Sequence, residues 1–339
     1  MTAPRKLLVI GGSAGAIEPL LQLVEKLPAD AGVAAAVVVH RPSHRPSSLT
    51  TLVNNHAPFP AVEPSDGDPL QADHVYVAPP DYHLEIGADS LGVNPGPKIN
   101  SQRPAIDVLF RTAASVYREA AVGVVLSGTL DDGASGLLAI CRAGGAGLVQ
   151  DPGEAEFGDM PDAALQRAPC AQAFPTDRLG DEVARLLSLD GESPGERERV
   201  PMTTPRHLER PGADEGNVLG RADVRGTPVG VTCPDCGGSL WLSDDADDPT
   251  VTCRVGHSFS PDTLLQLQSD RLDRALWAAL RSLEEQVAAT KFLEDMNRRN
   301  GQAAAASRHR ARREVVEEQV AAMRTFVTSL RPTGNGTEN

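Results

Sequence analysis

From Lys6 to about residue 190, short apolar runs alternate with stretches in which apolar side chains recur at three- and four-residue spacing. The runs Lys6–Ile10, Ala34–Val39, His74–Ala78, Gly123–Leu126 and Gly147–Gln150 predict strands. The periodic stretches Ile17–Leu27, Pro104–Tyr117, Ala134–Arg142 and Thr176–Leu189 predict amphipathic helices, and 93–103, with Pro, Gly and Asn, predicts a loop. This alternation predicts an α/β fold, a doubly wound and mostly parallel sheet, as one domain over residues 1–190.

The pattern then changes. Residues 191–230 are rich in Gly, Pro, Glu and Arg with few large apolar side chains, so they cannot offset their ordering entropy and predict a disordered linker. A small module over 231–260 holds clustered cysteines. Two helical segments, 261–299 and 302–330, flank Asn300-Gly301 and predict a C-terminal helical hairpin over 261–332, followed by a disordered tail at 333–339. Leu272, Leu276, Leu280, Leu283 and Val287 share one face of the first helix; Val316, Val320, Met323 and Val327 share one face of the second.

Composition narrows the partners. A chain of 339 residues that is 40% hydrophobic and 23% charged is neither wholly disordered nor membrane-embedded. Its net charge of −14 repels phosphate backbones and anionic lipids, so no nucleic acid partner is expected and the basic run Arg308–Arg313 reads as a solvated helix face. Apolar runs such as Val33–Val39 are too short for a membrane helix, and Leu7–Ile10 is too short for a signal-peptide core, which predicts no membrane insertion and a cytoplasmic location. Cys141 and Cys170 stand alone, whereas Cys233, Cys236 and Cys253 cluster at metal-ligand spacing, a pattern of reducing compartments.

Chemistry gathers at strand ends. The first strand runs into Gly11-Gly12-Ser13-Ala14-Gly15 and then a helix, a G-x-S-x-G turn that leaves the serine hydroxyl at a helix N-terminus, where dipole and amides favour an alkoxide. The same turn also fits a dinucleotide cradle, although the full G-x-G-x-x-G is absent, or a plain serine helix cap. Val37-Val38-Val39 ends in His40, which would sit beside Ser13 on the consecutive strand as a general base. A third strand ends in Asp131-Asp132-Gly133, where either carboxylate could orient His40 or cap the next helix. The order Ser, His, Asp differs from that of an α/β-hydrolase, which excludes an ordinary lipase or esterase.

With GGSAGAIEPL at Gly11–Leu20, VVVHRP at 37–42, VYVAPPDYHLEI at Val75–Ile86, RPAIDVLFRTAA at Arg103–Ala114 and VGVVLSGTLDDGASG at Val122–Gly136, the segment from about 5 to 190 resembles the catalytic domain of CheB-type protein-glutamate methylesterases of bacterial chemotaxis. The resemblance implies a serine hydrolase that cleaves glutamyl methyl esters on chemoreceptor helices to glutamate and methanol, with glutamine deamidation as a possible second reaction. It implies Ser13 as nucleophile, His40 as general base and Asp132 as the residue that orients it. Amides near Ala14 and Thr129 become oxyanion candidates, and His83 matches a histidine near the family's site. Where the family commonly has glycine after the serine turn this chain has Ala16, and where Gly and Asn are common in the acid loop it has Leu130 and Asp131. The sequence begins at the catalytic strand without the receiver domain of many members, so the resemblance implies either a constitutively active enzyme or regulation from the C-terminal third. A non-catalytic scaffold that keeps the fold is the alternative.

In that third, Cys233-Pro-Asp-Cys236 precedes Cys253-Arg-Val-Gly-His257 by sixteen residues, and Gly237-Gly238 suits a tight knuckle. The spacing predicts a zinc-ribbon-like module with a structural Zn²⁺ on Cys233, Cys236, Cys253 and His257; no cofactor is expected for catalysis. The hairpin is expected to bind a partner or a second copy of the chain.

Overall fold

In a computed structural model, which describes residues 3–29, 31–41, 48–189 and 226–329, the buried strand β1 (Lys6–Gly12) lies at the middle of a seven-stranded parallel sheet. Along the chain follow α1 (Ile17–Glu25), β2 (Val33–Val39), α2 (Leu49–His56), β3 (Ala61–Val62), β4 (His74–Val77), β5 (His83–Ile86), β6 (Leu91–Asn94), α3 (Ile106–Tyr117), β7 (Ala121–Val125), α4 (Ala134–Arg142), β8 (Ala146–Gln150), α5 (Asp159–Arg167), β9 (Ala171–Phe174) and α6 (Thr176–Ser188). The strand order is β3-β4-β2-β1-β7-β8-β9. The chain winds outward from β1 through β2 and β4, then returns to β7 on the other side, so the crevice beyond the ends of β1 and β7 is the topological switch point.

Alternation along the central strands divides the core. Leu7, Val9, Ala36 and Val38 face Ile106, Leu109 and Phe110 of α3 and Leu137 of α4. Leu8, Ile10, Val37 and Val39 face Leu20, Leu23 and Val24 of α1 and Leu179 and Val183 of α6. Each fully buried Leu, Ile, Val or Phe among these contributes roughly 1.5–3 kcal/mol, so both faces of the sheet are firmly packed.

The five expected strands and four expected helices are present, and the predicted linker and loop boundaries move. β5 and β6 form an antiparallel hairpin, so Val93 and Asn94 leave the predicted 93–103 loop. The sequence pattern missed α2, α5, β3 and β9: α2 and α5 are short, α5 carries Pro161, β3 has two residues, and β9 is an edge strand with both inner residues exposed. Cys141, in the last turn of α4, and Cys170, just before β9, are not solitary: they form a disulfide with a Cα–Cα distance of 5.5 Å across 29 residues of sequence. The sheet brings together two cysteines that spacing alone left apart, and cysteine usage therefore gives no argument for a reducing compartment. No helix among the described residues is long and apolar enough to cross a membrane.

Strands β10 (Thr227–Thr232), β11 (Ser239–Leu242), β12 (Val251–Cys253) and β13 (Ser258–Phe259) form a four-stranded antiparallel sheet in that order. Thr227–Gly230 thus belong to the ribbon, not the linker; residues 191–225 lie outside the described residues, as does the predicted 333–339 tail. The ribbon belongs to the same compact unit as the sheet, Met1–Leu264. Asp248 anchors it: the carboxylate accepts from Arg111 at 2.5 Å, Ser135 at 2.6 Å and Arg167 at 3.3 Å. Burial pushes this carboxyl up, but those three partners outweigh it and hold it below its ordinary range.

The second unit, from Leu265, contains most of α7 (Pro261–Arg299) and all of α8 (Ala303–Ser329). Leu280, Val316 and Val327 of the predicted stripes are buried, while Leu272 is 54% exposed. Glu294 of α7 accepts from Arg310 at 3.0 Å and Arg313 at 3.2 Å, and Glu284 meets Arg324, so the helices run antiparallel. The basic run is therefore partly an interhelical ion network and not only a solvated face.

Candidate active site

Three strand ends meet at the switch point. The Ser13 amide donates to the Ser127 carbonyl at 2.9 Å, which ties the turn after β1 to the end of β7. At Gly12 a Cβ would lie 2.5 Å from that of Ala16, and Gly15 has φ +74°, so these two positions require glycine. Ala16 adopts φ −82°, which explains why this turn tolerates a side chain there. Ser13 is half-buried.

The His40 amide donates to the Gly12 carbonyl at 3.0 Å, placing the histidine beside the serine turn. Its Nε2 lies 2.8 Å from Asp132 Oδ2, with the two side chains 7% and 2% exposed. A carboxylate at that distance accepts from Nε2–H, which leaves Nδ1 as the basic nitrogen. The structure places His40 next to the Ser13 turn without a hydrogen bond between the two side chains among the described residues.

Asp132, not Asp131, is the carboxylate that reaches His40. Asp132 also accepts from the Ile106 amide at 2.8 Å and the Asp107 amide at 3.1 Å, the free donors at the N-terminus of α3. A helix N-terminus favours negative charge, so the position suits a carboxylate. Neither Asp131 nor Asp132 caps α4 with its side chain; Asp107 does, accepting from Gly133 at 3.0 Å and Gly136 at 2.6 Å. Burial, and then the neighbouring Asp132, push the Asp107 carboxyl up to about 8. Asp131 instead accepts from the Thr263 hydroxyl at 2.5 Å.

His83 is not a surface residue. It is 1% exposed, its Nε2 donates to the Pro97 carbonyl at 2.9 Å, and its Nδ1 accepts from the Ala105 amide at 3.2 Å. Burial drives its pKa down to about 4, so the ring is a neutral clamp on the residue that precedes α3. The oxyanion candidates Ala14 and Thr129 are both exposed, and neither amide donates a hydrogen bond among the described residues.

Two supporting residues carried no role in the sequence pattern. The Ser127 hydroxyl donates to the Ala14 carbonyl at 2.8 Å and accepts from the Phe157 amide at 3.0 Å, while Gln150 accepts from the Ser127 amide at 2.9 Å. Asp107 lies within RPAIDVLF and Ser127 within the acid-loop motif, so the motifs contained them, but nothing in one dimension showed which way they point. Away from this crevice, Cys233, Cys236, Cys253 and His257 hold their ligand atoms within 4.8 Å of one another.

Ser13, His40 and Asp132 thus stand together at one edge of a parallel sheet, at its topological switch point. The CheB methylesterase family signature matches residues 8–183, and the chain belongs to that family. A protein-glutamate methylesterase/protein-glutamine glutaminase from Xanthomonas euvesicatoria is 35% identical over 192 residues, 56% of this chain and 52% of that protein. A relative from Leptospira interrogans is 33% identical over 180 residues, 53% of this chain and 93% of that protein. The crystal structure of the Thermotoga maritima CheB methylesterase catalytic domain superposes with a TM-score of 0.51 at 26% identity, covering 55% of this chain and 100% of that domain. The chain spans about half the length of the Xanthomonas relatives it matches.

Proposed function

We propose that the chain hydrolyses γ-glutamyl methyl esters on methylated chemoreceptor helices, with Ser13 as nucleophile, His40 as general base and Asp132 as its orienting acid. The observation that carries this reading is the buried His40–Asp132 pair, 2.8 Å long, at the strand end adjoining the serine turn. Ser13 Oγ attacks the ester carbonyl as His40 Nδ1 takes its proton. The tetrahedral oxyanion is received by amides near Ala14 and Thr129, and His40 then protonates the departing methoxide, leaving a glutamyl-serine ester. Water, deprotonated by the same nitrogen, releases glutamate and regenerates Ser13. A glutamine side chain would follow the same path with ammonia as leaving group, in keeping with the double name of the relatives.

A cytoplasmic location and a chemosensory role come with this substrate. We assign α7 and α8 to partner binding or self-association, supported by exposed Trp277, Phe292, Val315 and Phe326 on that unit. A scaffold without catalysis would have no use for a buried acid–imidazole pair beside an accessible serine.

The test is methanol release from a methylated receptor fragment by the intact chain, Ser13→Ala and His40→Ala. Release by the native chain that falls at least a thousandfold in both variants supports the reading. Background release from all three overturns it for that receptor.

A further inference from the structure

The four-residue cluster in the ribbon has metal-site dimensions. Cys236 Sγ and Cys253 Sγ are 3.7 Å apart, and His257 Nδ1 is 3.6 Å from the sulfurs of both Cys233 and Cys253. A tetrahedron with Zn–S of about 2.3 Å and Zn–N of about 2.0–2.1 Å has S–S edges of about 3.8 Å and S–N edges of about 3.6 Å. A disulfide would instead bring two sulfurs to about 2.05 Å. Both halves are built as knuckles. The Cys233 amide donates to Gly238 O and that of Gly237 to Cys233 O, while the Cys253 amide donates to His257 O and that of Gly256 to Cys253 O. Gly237 and Gly256 have φ of +73° and +103°. Three thiolate sulfurs and an imidazole suit Zn²⁺, and four protein donors leave no open position, so the site is structural.

The segment that leaves the last ligand goes directly to the acid side of the catalytic centre. Ser258, next to His257, exchanges backbone hydrogen bonds with the 98–100 loop: its carbonyl accepts from Asn100 at 2.8 Å and its amide donates to Lys98 at 3.3 Å. Ser260 donates its amide to Asn100 Oδ1 at 2.9 Å and caps α7 by accepting from the Thr263 amide at 3.1 Å. The Thr263 hydroxyl then reaches Asp131, the neighbour of Asp132. Both loops so held contain residues in the left-handed region, Asn100 and Ser101 at φ +51° and +59° and Leu130 at +64°. Such conformations persist where surrounding contacts over-determine them. The first loop leads into α3, whose amides hold Asp132; the second carries Asp132 itself.

We propose that Cys233, Cys236, Cys253 and His257 bind one Zn²⁺, and that the metal-closed ribbon braces the acid loop through Ser258, Ser260 and Thr263, so that metal occupancy sets the alignment of Asp132 with His40. The link to catalysis rests on the methylesterase reading above; the metal site and the brace do not. A ribbon of this size has too little core to hold its knuckles without the ion. Loss of the ion frees β13, and with it the hydrogen bonds to Asn100 and Asp131.

The experiment uses the full chain, Cys253→Ser and Thr263→Val. It measures zinc by elemental mass spectrometry, hydrogen exchange over peptides spanning 98–110 and 127–136, and methanol release. The native chain is expected to carry one zinc. Cys253→Ser should carry less than a tenth of that, exchange faster in both peptides and turn over roughly tenfold more slowly. Thr263→Val leaves all four ligands in place, and should keep its zinc while exchange quickens over 127–136 and turnover falls a few-fold, as for loss of one buried hydrogen bond. Zinc-free native protein overturns the metal site. Native-like exchange in a zinc-loaded Thr263→Val, or in a zinc-free folded Cys253→Ser, overturns the brace. Should the native chain release no methanol while exchange still depends on zinc, the methylesterase reading falls and the brace stands.

Discussion

The Asp132 side of the switch-point crevice and its Ser13 side are fixed by different means. Asp132 is 2% exposed and satisfied by the His40 ring and two helix amides, with Asp107, His83 and the ribbon supporting the elements around it. Ser13 is half-buried, held through its backbone by the glycine turn and Ser127, and its hydroxyl has no partner among the described residues. Asp132 and His40 are therefore oriented by fixed contacts, whereas the serine hydroxyl is positioned only to within a rotamer. Preorganisation of the His40–Asp132 pair limits the reorganisation left for a reaction at this site, whereas the freely rotating serine hydroxyl must still be ordered.

The sharpest way to break this comparison is to change one residue on each side. Ser13→Ala should abolish turnover, at least a thousandfold, and leave the melting temperature within about 2 °C of native, because no folded-state hydrogen bond is lost. Asp132→Asn should lower kcat by about 10²–10⁴ and also destabilise the fold by about 1–3 kcal/mol, since an amide cannot accept fully from both α3 amides and His40. Kinetics paired with thermal melts decide it: equal stability losses at the two sites would show that the sides are built alike.

The next test concerns pH. An unfolded His83 takes a proton near 6.5 and the folded one only near 4, so acidification below 6.5 favours the unfolded chain. Stability should fall by about 2–3 kcal/mol from this group as pH drops from 7 to near 4.5, and His83→Gln, which can still bridge Pro97 and Ala105, should show a flatter profile. Urea titrations at the two pH values measure the difference; identical slopes for both proteins would remove His83 from the acid-side support. The smallest effect is expected at Leu130, whose φ of +64° costs about 1 kcal/mol that glycine would not pay. In Leu130→Gly this relief is offset by a more flexible unfolded chain, so the melting temperature should move by less than about 3 °C while the loop loosens and turnover drops a few-fold.

What the sequence revealed follows from how each feature is encoded. Apolar periodicity marks elements that bury a whole face, so β1, β2, β7 and α3 were legible, whereas the two-residue β3 and the exposed edge β9 bury too little to leave a pattern. The serine and histidine announced themselves at the ends of apolar runs. Residue pattern alone left Asp131 and Asp132 open and only the family resemblance pointed to Asp132; in space the two differ in which one His40 and the α3 amides reach. Asp248 sits in the acidic run Asp244–Asp248, which looks like any solvated loop, yet it is 7% exposed beneath two arginines from elsewhere in the chain. The Cys141–Cys170 bond was equally hidden, since its partners become neighbours only through the packing around β8.

Helices α3 and α4 begin where they do because each borrows its first acceptor from the other: Asp132, just before α4, receives the opening amides of α3, and Asp107, in α3, receives those of α4. In a genetic screen this exchange would make Asp107 look like a residue that touches substrate, although it reaches only backbone. Second-site suppressors of a lesion at either aspartate should accordingly map to the first turn of the opposite helix, and these two segments of chain, separated by a whole strand, would be inherited as a single locus of function.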